Sequence, residues 1–174
     1  MSGPAYCPFY CEENIWHLAA DPRLGEGRRR VLLISNRSQR VALWGQRSGL
    51  EDSDGLVVWD YHVVLTCGAG EDAVVWDLDT TLGTPVPLAV YLPRTFRGAP
   101  EPFLPMFRVF GADAYRDGFG SDRRHMLDGD GAFLQAPPVW PPIGSTHTLQ
   151  AWLDFERDEP GQLVDLPGLV ALLG

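Results

Sequence analysis

The apolar positions of the chain fall into two kinds of pattern. The longest run, Val57-Val58-Trp59-Asp60-Tyr61-His62-Val63-Val64-Leu65-Thr66-Cys67, is followed after Gly68-Ala69-Gly70-Glu71-Asp72 by Ala73-Val74-Val75-Trp76-Asp77-Leu78-Asp79-Thr80. Both runs are rich in β-branched and aromatic residues and read as a β-hairpin. A second hairpin pattern joins Arg30-Val31-Leu32-Leu33-Ile34-Ser35 to Arg40-Val41-Ala42-Leu43-Trp44 across Asn36-Arg37-Ser38-Gln39, so an antiparallel meander of strands at 31–35, 40–44, 56–66 and 73–79 is expected. Phe107-Arg108-Val109-Phe110 adds a further strand. The other pattern is helical: Ile15, Leu18 and Ala19 share one face, Glu12 and Glu13 in the first turn suit the helix dipole, and Asp21-Pro22 ends the run. That helix starts at Cys11. Leu88-Ala89-Val90-Tyr91-Leu92 predicts a short helix in the Pro-rich stretch 81–105, 137–142 a rigid loop, and 148–155 and 166–173 two amphipathic helices.

Residues facing each other on antiparallel strands share one side of the sheet. With a two-residue loop at Ala69-Gly70, His62 lies opposite Asp77 on a face shared with Val64 and Val75, while Trp59, Tyr61, Trp76 and Leu78 take the other. A slip of two residues keeps the face and brings Asp79 opposite His62 instead. A His with an adjacent carboxylate is the base-and-orienter half of a catalytic triad, and equally an ordinary element of a polar network. A nucleophile must decide between these. Cys11, at a helix N-terminus, has backbone N–H groups suited to a developing oxyanion, although Glu12 and Glu13 raise its pKa and a protonated His62 is needed to secure the thiolate. Its alternative role is that of a small hydrophobe at a helix start.

Cys7, in a Pro-flanked segment, reads as a bystander, and Cys67, five residues from His62, points to the opposite face of an unbroken strand. His125 reads as a loop staple rather than a second base, because spacing places no carboxylate beside it. A zinc module built from Cys7, Cys11, His62 and Cys67 is the non-enzymatic alternative, opposed by that strand geometry.

A net charge of −9 argues against nucleic acid and anionic membrane and is compatible with a cationic ligand. All 14 basic residues are Arg, which rules out Schiff-base lysine chemistry and a Walker-type phosphate site. No apolar run approaches transmembrane length and residues 1–9 carry no secretory pattern, so a cytoplasmic or nuclear protein with unpaired cysteines is expected. With 174 residues and neither repeat nor linker, the expectation is a single catalytic domain over 1–174.

The order Cys at a helix start, His on a strand, Asp on the next strand is that of papain-like and transglutaminase-like cysteine hydrolases. The fold expected is therefore α+β, with the helix bearing the nucleophile packed on an antiparallel sheet. More specifically, Tyr10-Cys11-Glu12-Glu13-Asn14-Ile15-Trp16, Val58-Trp59-Asp60-Tyr61-His62-Val63-Val64 and Trp76-Asp77-Leu78-Asp79-Thr80 resemble motifs of the protein N-terminal glutamine amidohydrolases of the N-degron pathway. Phe107-Arg108-Val109, Ala112-Asp113 and Ser121-Asp122-Arg123 with His125-Met126 match later segments, and the likeness thins beyond Ile143. The resemblance implies catalytic Cys11, His62 and Asp77, a thioester intermediate, no metal or organic cofactor, and partners that are proteins or peptides beginning with Gln; a monomer is the expectation for the chain. The substrate's α-ammonium calls for an acidic acceptor, for which Asp60, paired across the hairpin with Asp79, and Glu12 and Glu13 beside the nucleophile are the candidates.

Overall fold

The computed structural model describes residues 4–24 and 27–174; the first three positions of the stretch read above for a secretory pattern lie outside them. Helix α1 (Cys11–Ala19) is followed by β1 (Arg29–Ser35), β2 (Val41–Leu43), β3 (Val57–Trp59), β4 (His62–Cys67), β5 (Val74–Trp76) and β6 (Val86–Pro87). Helix α2 (Leu88–Thr95), β7 (Met106–Gly111), α3 (Ala112–Gly118), α4 (Leu149–Trp152), β8 (Gln162–Asp165) and α5 (Leu166–Leu173) complete the chain. Six strands form one antiparallel sheet in the order β6-β5-β4-β1-β7-β8, and β2 pairs with β3 in a separate ribbon. The fold is α+β.

Strand β1 is buried without alternation from Val31 to Ser35, as expected of a central strand covered on both faces. On one face Val31, Leu33, Val63 and Leu65 pack with Ile15 and Leu18 of α1, Tyr115 of α3, and Trp152 and Phe155. On the other, Leu32, Ile34, Val64 and Val75 meet Tyr91 and Leu92 of α2, Leu169 and Leu173 of α5, and Val41 and Leu43 of the ribbon. Burying each such aliphatic side chain contributes about 1.5–3 kcal/mol relative to exposure. The helix carrying Cys11 is thus fixed against β4.

Three expectations need correction. The segments at 30–35 and 40–44 do not form a hairpin, because both edges of β1 are taken by β4 and β7. The intervening turn is real. Asn36 ties it down, its Oδ1 accepting from the Ser38 and Arg40 N–H groups and its Nδ2 donating to the carbonyls of Arg40, Pro102 and Leu104, which steers the chain out of the sheet. Residues 57–67 are not one strand either: the ladder breaks at Asp60-Tyr61, so Trp59 joins the second core while Tyr61, Trp76 and Leu78 pack on the α1 side. Finally, α3 and β8 were not anticipated, and the helix expected at 148–155 is the single turn α4. The helices at 88–92 and 166–173 and the strand at 107–110 form as the patterns indicate.

Candidate active site

Cys11 is the first residue of α1, and Tyr10 before it supplies no side-chain cap. The first amide bonded within the helix is that of Asn14, to the Tyr10 carbonyl at 2.9 Å, so the N–H groups of the first turn have no helical acceptor. Packing of α1 on β4 brings the Cys11 sulfur to the Val63 N–H and opens it onto a cavity of about 450 Å³. His62, the first residue of β4 and 1% exposed, lines the same cavity.

His62 Nε2 lies 2.9 Å from Asp77 Oδ1. Asp77 is 0% exposed, and every acceptor direction is occupied: Oδ1 also takes the Asp79 N–H at 2.9 Å, while Oδ2 takes Tyr91 Oη–H at 2.9 Å and Gln46 Nε2–H at 3.2 Å. Burial opposes ionisation of Asp77, but His62 and these donors hold its pKa below the ordinary carboxylate value. For His62 burial likewise disfavours the cation, and Asp77, with Asp79 and Glu12, prevails and raises its pKa. With Asp77 ionised, the Nε2 proton is directed at the carboxylate and Nδ1 is the ring atom left to accept one.

The expected register does not produce this pair. Strands β4 and β5 pair Leu65 with Trp76 and Cys67 with Val74, a two-residue shift whose extension would set Asp79 opposite His62. The loop includes a 3-10 turn at Gly70–Asp72, and β5 ends at Trp76. Beyond it the chain turns, pinned by the Arg47 N–H on the Asp79 carbonyl, and Asp77 reaches His62 from outside the ladder.

The thiol of Cys11 points to Glu12 Oε2 at 3.6 Å. Its pKa is pushed well up, first by burial and then by Glu12 and Asp79, with the Val63 N–H opposing. Asp79 lines the cavity, half-buried, and accepts from Tyr6 Oη at 2.6 Å; Asp60 lines it from an exposed position at the rim.

The family model for N-terminal glutamine amidase matches residues 6–173. The chain belongs to that family. Its relatives include the protein N-terminal glutamine amidohydrolase of Drosophila grimshawi, 38% identical over 95% of this chain and 86% of that one. Those of Drosophila pseudoobscura pseudoobscura, at 38% over 87% and 77%, and of Drosophila melanogaster, at 37% over 89% and 79%, are similar to the same degree. The family match runs well past Ile143, where the motif likeness thinned, so the C-terminal segment is part of the family's pattern.

Within this family member the acidic candidates separate. Glu13 cannot receive a substrate: 0% exposed, it takes two hydrogen bonds from Arg123, at 2.9 and 2.7 Å, and one from Trp140 Nε1 at 2.7 Å. Glu12 is equally buried and does not line the cavity. His125, expected to lack a carboxylate neighbour, sits with Nε2 3.4 Å from Glu12 Oε1 and lines the cavity. Cys7 is held after all, its backbone clamped at both N–H and carbonyl by Asn14 at 2.8 Å, and Cys67 packs on the α1 face, away from the side on which His62 and Val64 lie. Among the described residues the site where metal-type donors converge is His62, Asp77 and Asp79, not the cysteines, and Asp77 there is fully engaged by protein donors. Sequence reading missed Gln46 and Tyr91 as partners of Asp77, and Arg123 as partner of Glu13; Arg123 lay within a quoted motif, whereas nothing local marked the other two.

Proposed function

We propose that the chain hydrolyses the side-chain amide of an N-terminal Gln to Glu, releasing ammonia, with Cys11, His62 and Asp77 acting in the papain-like and transglutaminase-like manner. The observation that carries this reading is that Cys11, at the uncapped start of α1, and His62, backed by Asp77, open onto one cavity in a chain of this family. His62 Nδ1 takes the thiol proton, and the Cys11 sulfur attacks the δ-carbonyl carbon. The oxyanion forms against the free N–H groups of the first turn of α1. The imidazolium gives its proton to the departing amide nitrogen, leaving a thioester. Water, deprotonated by His62, then attacks the thioester, which regenerates the Cys11 thiol and forms the side-chain carboxylate of an N-terminal Glu. Asp77 holds the ring in one tautomer throughout.

A side-chain amide alone does not distinguish a terminal from an internal Gln; the α-ammonium does. Asp79 and Asp60, the carboxylates on the cavity wall, are the groups proposed to receive it, with Asp79 the better placed because it is half-buried. The test is mass spectrometry of a Gln-initiated peptide incubated with the protein. A gain of about 1 Da with release of ammonia is expected from amide-to-acid conversion. Peptide cleavage would indicate a protease instead, and incorporation of an added amine a crosslinking transglutaminase.

A further inference from the structure

Glu12 is a buried carboxylate whose two oxygens are treated differently. Oε2 accepts from Tyr61 Oη at 3.0 Å and from the Cys11 thiol at 3.6 Å. Oε1 has no hydrogen-bond donor and lies 3.4 Å from His125 Nε2, on a ring whose nitrogens are themselves without hydrogen bonds. Buried acceptors are rarely left in this state without a reason. We propose that Glu12 is a positioning residue that keeps Cys11 a neutral thiol while the cavity is empty, and that the α-ammonium of an entering substrate releases it.

The proposal rests on Cys11 being the nucleophile, as read above, and adds the control of its ionisation. A thiol can donate to Glu12 Oε2; a thiolate cannot, and would face that carboxylate as a like charge. The groups around the sulfur are Glu12 on α1, Tyr61 just before β4, the Val63 N–H in β4, Asp79 from the turn after β5, and Tyr115 of α3, whose hydroxyl donates to the Glu12 carbonyl at 3.1 Å. His125 stands against Glu12 Oε1, and His62, Arg47 and Asp60 share the cavity wall with Cys11. Of the groups around the sulfur, Glu12 and Asp79 are the anionic members, and both oppose a thiolate, adding to the effect of burial. An ammonium seated at Asp79 brings a positive charge into the same cavity and offsets that opposition. The S–H proton then passes from Cys11 Sγ to His62 Nδ1, giving a thiolate and an imidazolium already paired with Asp77. An internal or N-acetylated Gln carries no such charge and meets a thiol. Selection thereby falls on the formation of the nucleophile as well as on binding, and so on kcat.

The experiment follows the thiolate absorbance of the full chain near 240 nm at pH 7, taken as wild type minus Cys11→Ala. L-norvalinamide, which has the α-ammonium and no side-chain amide, is added, with N-acetyl-norvalinamide as the uncharged control. The expected result is little Cys11 thiolate in the free protein and a rise with norvalinamide alone, about tenfold for each pH unit by which the cation lowers the midpoint. Glu12→Gln is expected to show thiolate before any ligand is added and to respond less to it. No rise in the wild type, an equal rise with the acetylated compound, or an unchanged or higher midpoint in Glu12→Gln overturns the proposal. The wild-type arm is independent of how Glu12→Gln folds. Turnover of a Gln peptide by Cys11→Ala would defeat the nucleophile reading itself, whereas an inactive Cys11→Ala with a flat absorbance defeats only the role given to Glu12.

Discussion

The first turn of α1 has a front and a back, and two adjacent glutamates divide them. At the back, Glu13 has both oxygens engaged by Arg123 and Trp140, and Asn14 clamps the backbone at Cys7. At the front, Cys11 opens onto the cavity and Glu12 has one oxygen shared by Tyr61 and the thiol and one without a donor. The two glutamates are the same residue type, equally buried and both in the first turn of α1, so neither composition nor exposure separates them. Satisfaction of their hydrogen-bonding capacity does: the fully paired carboxylate anchors the helix, and the half-paired one keeps an oxygen without a donor.

This contrast is sharpest at Cys11, the proposed nucleophile. Cys11→Ala is expected to lower kcat by at least roughly a thousandfold with little change in melting temperature, while Cys7→Ala and Cys67→Ala keep most of their activity. An active Cys11→Ala erases the distinction between front and back.

Asp77→Asn is expected to reduce kcat by a factor on the order of 10³–10⁴, because the imidazole loses the acceptor that fixes its tautomer. Asp79→Asn is expected to reduce it less, and kinetics on equally folded variants decide the order. The same substitution has a pH signature. Asp77, with a lowered pKa, contributes stability that is present above its ordinary 3.8 and lost as pH falls through the folded value. His62, with a raised one, contributes stability that is full below its ordinary 6.5 and lost as pH rises through the folded value. Their mutual stabilisation is therefore greatest between those limits, and denaturant titrations are expected to show a larger loss for Asp77→Asn at pH 5 than at pH 9.

At the back, Arg123→Met leaves Glu13 buried without its cation and is expected to cost about 3–5 kcal/mol of folding stability with the rate per folded molecule largely retained. A kinetic defect without a lowered melting temperature would move Arg123 to the catalytic side. N-acetylation of a Gln-initiated peptide is expected to lower kcat/KM by roughly tenfold to a hundredfold, the usual worth of one charge-assisted contact in a partly desolvated site. Asp60→Asn is expected to be the mildest change, on the order of a few-fold on the free-amine peptide, since its carboxylate is solvent-screened at the rim. Equal turnover of acetylated and free peptides would remove the acidic wall from the account of specificity.

The helix at Cys11 was legible because its signals are local: a 3.6-residue apolar period, acidic residues in the first turn and Asp21-Pro22 at its end. The strand character of 62–67, 74–76 and 106–111 was legible for the same reason. Partner choice was not. Nothing within 30–44 distinguishes a hairpin from a chain whose first strand is claimed on both sides by segments some thirty and seventy residues away. The pair His62 and Asp77 was selected on a register that the structure shifts by two residues. It forms because the ladder stops at Trp76 and the following turn, held by Arg47, Gln46 and Tyr91, swings the carboxylate back.

The sequence by itself determined which side chains could carry the chemistry and that a helix would begin at Cys11, since both depend on residue type and on spacing within one turn or one strand. Only the tertiary structure decided which of the neighbouring carboxylates is paired and which is left available. Arg123 reaches Glu13 across 110 residues of sequence, and His125 reaches Glu12 from a comparable distance along the chain. Such contacts are fixed by how packed layers bring distant loops together, a matter on which local propensity and periodicity carry no information.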